Sequence, residues 1–271
     1  MIRSVADVAR EILATADPLA KVKAARRAAR DWRQGRLAHR FDIAMPDRPA
    51  RPSRPELLAP SHMPRRGKGG SERGRIATLH ALAHIEFVAI DLAFDIIGRF
   101  GAGFPPAFVD DWMRVGAEEA MHFAILTRRL RSLGAAYGDL PAHDGLWQAA
   151  EATAHDSAAR LAVVPMVLEA RGLDVTPMMI IQFRRAGDEA SSRILERILA
   201  DEVRHVGTGV RWFEYCCDAA RFDAPTQWRA LVKRHFRGAI KPPFNDSARG
   251  AAGLTTIFYS SLAVPGMTFQ K

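Results

Sequence analysis

Cysteine is scarce in this chain of 271 residues: there are two, Cys216 and Cys217, and they are adjacent. Neighbouring cysteines rarely form a structural disulfide, so a cross-linked framework is excluded. The expectation is small side chains packed near a helix end, in a reducing cytoplasm. Long apolar runs are also missing. None reaches the roughly 18 residues that a bilayer-spanning helix needs, so no membrane partner is expected. Residues 1–17 lack a secretory apolar core and carry Asp7, Glu11 and Asp17, so no signal or transit peptide is expected. No strand-like alternation of useful length occurs, which points to an all-α fold.

Against these absences stands a ligand pattern that occurs twice. Glu86 is followed by Glu119 and then His122, and Glu169 is followed by Glu202 and then His205. The step between the glutamates, an offset of 33, is the same in both halves, and each histidine comes one Glu-x-x-His interval later. A single offset of 83 carries every member of the first set onto its counterpart, and it also carries Asp91 onto Asp174. The stretch Arg114-Val-Gly-Ala-Glu-Glu119-Ala-Met-His122 aligns with Arg197-Ile-Leu-Ala-Asp-Glu202-Val-Arg-His205. An internal duplication accounts for all of these offsets. On a helix, Glu-x-x-His places both side chains on one face, because three residues advance about 300°. One such motif is weak and is read more simply as a solvated pair. Two motifs plus two equally offset glutamates supply four carboxylates and two imidazoles, the donor set with which helical bundles hold two iron or manganese ions. The acidic residue before each motif glutamate, Glu118 or Asp201, is a candidate to orient a ligating imidazole, with an arginine ion pair as the plain alternative. His80 and His84 lie one turn apart; packing is the simpler reading, and His84 is the candidate pocket residue.

The repeated glutamate offset also has a geometric meaning. Two residues of an antiparallel hairpin share a height when the turn lies midway between them. For Glu86 and Glu119 the midpoint falls in Gly101-Ala-Gly103-Phe-Pro-Pro106, a helix stop followed by a helix start. For Glu169 and Glu202 it falls near Gly187. Gly172-Leu-Asp-Val-Thr-Pro177 there predicts an earlier break, with Thr176 as N-cap of a restarted helix, and Pro165 predicts a kink. The expected elements are helices over 4–15 and 18–34, an irregular proline-rich segment over 35–71, and long helices over 71–100 and 105–133. A broken helix from 144, a fourth long helix over 188–219 and a shorter one over 225–236 complete them. The expected division is an N-terminal arm (1–70), a four-helix bundle with internal two-fold repeat (71–220), and a C-terminal helix and docked tail (221–271). Phe244, Ile257, Phe258 and Tyr259 are the tail residues expected to dock.

Charge is uneven. Residues 1–75 hold 18 Lys and Arg against 8 Asp and Glu, while the remainder is close to neutral. Lys21, Lys23, Arg26, Arg27, Arg30 and Arg33 decorate the second helix, and Arg48 to Arg75 form a Pro/Gly/Arg-rich stretch. A nucleic-acid partner is one reading. A solvated arm wrapping the bundle and pairing with its acidic face is the other, and the only aromatic residues there, Trp32 and Phe41, offer little base stacking.

At the ligand residues the chain resembles the ferritin-like superfamily. More closely, Leu82-Ala-His-Ile-Glu-Phe-Val-Ala-Ile-Asp91, Asp201-Glu-Val-Arg-His205 and Lys241-Pro-Pro-Phe-Asn245 resemble the bacterial family known as domain of unknown function 455, over most of the chain. That resemblance implies kinship with a tRNA hydroxylase that oxidises a modified adenosine, with rubrerythrins, with desaturases and with ferritins. It places Glu86, Glu119, His122, Glu169, Glu202 and His205 at the six ligand positions, for two ions, iron first and manganese second. The expected function is O2-dependent oxidation or hydroxylation of an organic substrate, with a nucleoside or RNA as one candidate. Ferroxidase, iron-handling or peroxide-scavenging activity is the alternative, and a metal-free interaction bundle is a third. The absence of Cys-x-x-Cys excludes a rubredoxin-type extension. The basic arm and the broken helix argue for a monomer or dimer over a storage cage.

Overall fold

The computed structural model describes residues 2–64 and 70–263, and every regular element among them is helical; the only β pairing is three isolated bridges. The chain begins with α1 (Val5–Ala14) and α2 (Pro18–Arg33). Ser4 caps α1 through a reciprocal bond with Asp7, and Asp17 caps α2 with Pro18 behind it. Each cap satisfies backbone donors that the first helical turn leaves open. Then follow α3 (Glu72–Phe100), a short 3-10 turn at Gly101–Gly103, and α4 (Pro106–Ser132). The third long element is composite: α5 (Gly145–Ala152), α6 (Ser157–Val163), a π-helical segment (Val164–Glu169) and α7 (Ala170–Arg185). The chain returns as α8 (Glu189–Ala220) and closes with α9 (Ala224–His235), α10 (Asp246–Ala251) and α11 (Thr256–Tyr259).

The turn at Gly101–Gly103 brings α4 back along α3, and the turn at Gly187, with φ of +74°, brings α8 back along α7. The two hairpins meet where α4 packs on α8, while α1 covers α3 and α2 covers α4. One apolar cluster runs through all of them, from Val5 to Tyr259, with Phe87, Phe94, Phe108 and Phe213 fully buried. Each such ring stabilises the fold by about 1.5–3 kcal/mol. The N-terminal helices and the C-terminal tail therefore share their core with the long helices.

Three details of the composite element differ from the sequence expectation. The helix from 144 is interrupted at Thr153–Asp156, where Asp156 caps α6 by accepting from Ala158 N and Ala159 N. The buried Arg160 spans that break, donating to Thr153 Oγ1, the carbonyl of Ala150 and Asp95 of α3. No break occurs at Gly172–Thr176: α7 runs through Pro177, and Thr176 is a buried interior residue rather than an N-cap. Proline in a helix frees the carbonyl four residues earlier. Here that carbonyl, Leu173 O, accepts from Asn245 Nδ2 of the tail at 3.1 Å. Pro165 has the expected effect on geometry, but as a π-helical segment and not a simple kink. Trp228 of α9 donates to the carbonyl of Ala162 just ahead of it, at 3.1 Å.

Asp91 and Asp174, which correspond in the sequence repeat, are both buried and both anchor outlying chain. Asp91 takes Lys21 from α2 and Arg51 from the irregular segment; Asp174 takes Arg249 from α10 at 2.7 and 2.8 Å and the backbone N–H of Asn245 at 2.9 Å. Lys21 is thus fully buried and not a surface charge of α2. Arg48 pairs with Asp144 and Glu151, so this part of the basic arm does wrap the acidic side of the long helices. Arg65, Arg66 and Lys68 of the same stretch lie outside the described residues. Of the tail, Phe258 and Tyr259 are buried and Phe244 packs on Tyr259 at 4.9 Å, whereas Ile257 is 66% exposed and does not dock. Cys217 is buried and Cys216 half-buried near the end of α8, both as free thiols.

Candidate metal centre

Glu86 projects from the middle of α3, Glu119 and His122 from α4, and Glu202 and His205 from α8, while Glu169 ends the π-helical segment. One ligating atom from each of Glu86, Glu119, His122 and Glu202 lies within 4.8 Å of the others. His122 Nδ1 lies 3.1 Å from Glu86 Oε2, 3.5 Å from Glu119 Oε2 and 3.8 Å from Glu202 Oε1. His205 Nδ1 lies 2.9 Å from Glu119 Oε1 and 3.4 Å from Glu202 Oε1. The two motif glutamates therefore sit between both imidazoles, whose ring centroids are 5.7 Å apart. Glu169 falls outside the tight group of four, but its carboxylate feels the charges of Glu202, Glu119 and His205.

Both imidazoles turn Nδ1 inward and give Nε2 to a carboxylate outside the cluster. His122 Nε2 bonds Asp201 at 3.0 Å, and His205 Nε2 bonds Glu118 at 2.8 Å. The arrangement is crossed: the acid preceding the motif glutamate of one half holds the histidine of the other. Arg204 bonds both acids, and Arg197 bonds Asp201 at 2.8 Å. Each of the two acids thus bonds an imidazole and an arginine at once. Fixing Nε2–H on a carboxylate leaves Nδ1 as the lone-pair donor, which is how protein imidazoles are prepared for a metal.

The electrostatics describe a site balanced by protons. Burial, reinforced by the charge of Glu119, lifts the Glu86 carboxyl well above its ordinary range, and burial with the charges of Glu202 and Glu119 does the same for Glu169. Burial opposes a charged His122, but its bonds to Asp201, Glu119 and Glu86 outweigh that and push it up to about 12. For His205, burial is likewise outweighed, by Glu202, Glu119 and Glu118. Burial would raise Glu119, yet the two imidazoles hold it well below the carboxylate range. Divalent cations can take the place of those protons, and binding them releases the protons.

Whether the donor set fits a metal is visible in its unpaired atoms. Glu119 Oε2, Glu169 Oε2 and His205 Nδ1 are buried without a hydrogen-bond partner. His205 Nδ1 is close to Glu119 Oε1 but not aligned with it. Buried polar atoms are normally paired, so these three unpartnered atoms are a donor set that could take up a cation. Glu202, with 12% of its side chain exposed, and Glu169 are partly exposed, while His122, His205 and Glu119 are sealed.

Tyr137 was not singled out from the sequence, and it joins the two histidines that were. Tyr137 accepts or donates at His84 Nδ1 at 3.0 Å, and its ring stacks on both His80 and His84. His84 is buried in that aromatic group, with Nε2 unpaired. His80 Nε2 accepts from the backbone N–H of Gly138 at 2.9 Å. Arg197 and Arg204 were legible only as members of the repeated motif.

No helix among the described residues is long and apolar enough to cross a membrane. Comparison with solved structures finds no match. An uncharacterized protein of Haemophilus influenzae is 43% identical over 210 residues, which cover 75% of this chain and 73% of that protein. Residues 14–260 match the family described as "Protein of unknown function (DUF455)", and the chain belongs to that family.

Proposed function

We propose that the chain is a ferritin-like di-metal carboxylate protein, an O2-dependent oxidase or hydroxylase of an organic substrate, with iron as the first candidate metal and manganese as the second. The observation that carries this reading is the crossed orientation of the two imidazoles: each presents Nδ1 to the shared carboxylates and each has Nε2 fixed from behind. A structural ion-pair cluster has no use for three orphaned donor atoms.

In this reading Glu86 with His122 and Glu169 with His205 would hold one ion each, and Glu119 and Glu202 would serve both. Such a pair of ions supplies activation of O2 and oxidation of a bound substrate. The chain's residues do the rest. Glu118 and Asp201 keep the imidazoles in one tautomer. Glu119, His122 and His205 are themselves sealed from solvent.

Reconstitution with Fe(II) without oxygen, followed by O2 and optical spectroscopy, tests this. Two Fe per chain and an O2-dependent absorption change that Glu86→Ala abolishes are expected. Uptake of many Fe per chain with mineral formation would instead favour iron handling. No bound metal after reconstitution would refute both.

A further inference from the structure

An open groove of about 900 Å³ lies between α2 and α4. Lys23, Arg26, Arg27, Arg30 and Arg33 line it from α2, and Arg114 lines it from α4. These α2 positions follow helical spacing, so one face of the helix presents a row of cations about 15 Å long. Arg197 of α8 also lines the groove, and Arg114 and Arg197 are the first residues of the two aligned motif stretches. Among the described residues, Lys23, Arg26, Arg33 and Arg114 take part in no ion pair.

The two acids of the lining do not neutralise this row. Asp110 accepts from Trp32 Nε1 at 2.7 Å, and Glu118 is engaged by His205 and Arg204. The remaining lining is Ala29, Met113, Ala117 and Met121, with no aromatic ring. Like charges gathered this closely repel one another, a cost that an anion in the groove removes. The row is longer than one phosphate or carboxylate, and the lack of rings gives bases nothing to stack on.

We propose that this groove binds a ligand carrying several phosphate groups in a row, gripped through the phosphates and not through stacked rings. It lies directly behind the metal ligands, since Glu118 bonds His205 and Arg197 bonds Asp201, which bonds His122. Only that adjacency rests on the function proposed above; the binding itself requires no metal. The chemistry is shared by a nucleic-acid strand and by a free polyphosphate or nucleotide.

The full metal-free chain is titrated into a labelled short single-stranded RNA, read by fluorescence anisotropy over a series of salt concentrations. Affinity is expected to fall with salt at a logarithmic slope of about −0.7 for each phosphate contact. Lys23→Glu/Arg26→Glu/Arg33→Glu should weaken binding on the order of tenfold or more. Arg128→Glu/Arg131→Glu/Arg185→Glu, an equal reversal outside the groove, should change it far less. Inorganic tripolyphosphate displacing the RNA at similar concentration assigns the groove to a small polyphosphate; RNA retained in its presence assigns it to a strand. Should the groove triple variant lose its helical circular dichroism, Arg26→Glu alone carries the comparison. No binding at low salt, or equal loss in both triple variants, overturns the proposal. Metal content of the groove variant, measured in parallel, separates this outcome from failure of the metal centre.

Discussion

His122 of the first hairpin bonds Asp201 of the second through Nε2 at 3.0 Å, so its orientation depends on a residue 79 positions away. Glu118 returns the relation to His205. Removing either carboxylate's charge leaves the inner carboxylates in place but frees an imidazole. Asp201→Asn and Glu118→Gln are each expected to weaken metal binding about 10–100-fold while the fold persists. Competition against a chelator of known affinity measures this, and unchanged affinity in both variants would remove the orienting role.

Gly209 faces Pro165 so closely that a Cβ there would come within 2.5 Å of the proline Cβ. Pro165 is the second residue of the π-helical segment that ends in Glu169, and Gly209 is one turn beyond His205 on α8. Gly209→Ala should push the segment away from α8. Overpacking costs about 1–3 kcal/mol, and the gain in helix propensity returns no more than ~1 kcal/mol. A lowered Tm together with weakened metal binding is expected. An alanine variant as stable as the parent would show that the contact is soft.

Asn245 caps α10 and also takes the Leu173 carbonyl that Pro177 leaves free. Asn245→Ala should cost about 1 kcal/mol for the cap plus about 1–3 kcal/mol for the unpaired carbonyl. Asn245→Ser keeps a capping hydroxyl and loses only the amide. Denaturant unfolding of the two variants separates the contributions; equal stability of the serine variant and the parent would mean that the carbonyl finds another donor.

His80 is buried, and its Nε2 must stay unprotonated to accept from Gly138. Burial lowers its affinity for a proton from the ordinary 6.5. The unfolded chain takes up that proton as pH falls through 6.5 and the folded chain does not. Stability is therefore fully present above that pH and lost below it, by up to about 1.4 kcal/mol per pH unit while His80 stays neutral. His80→Gln should lose less stability between neutral and mildly acidic pH than the parent does. Parallel pH profiles of the two proteins would contradict this assignment.

The approach of Glu86, Glu119, His122, Glu202 and His205 was legible because two signals coincide: helical spacing within each motif, and a turn midway between each lone glutamate and its partner motif. Glu118 and Asp201 were legible by adjacency, but their crossed pairing was not, since it depends on how α4 packs on α8 and no offset in the chain encodes that. The local rules that read Gly172–Pro177 as a break were outvoted by a tail residue, Asn245, which satisfies the freed carbonyl from 72 positions away. Asp91 was visible as a repeat position; its partners Lys21 and Arg51 were hidden among many similar basic residues, and burial alone distinguishes Lys21 from Lys23.

The most direct test of the proposed centre is anomalous diffraction from crystals of Fe(II)-reconstituted protein, with metal content measured on the same batch. Two iron peaks enclosed by Glu86, Glu119, His122, Glu169, Glu202 and His205 are expected. A single peak that leaves Glu169 and His205 without a metal, or peaks only at surface residues, would contradict it.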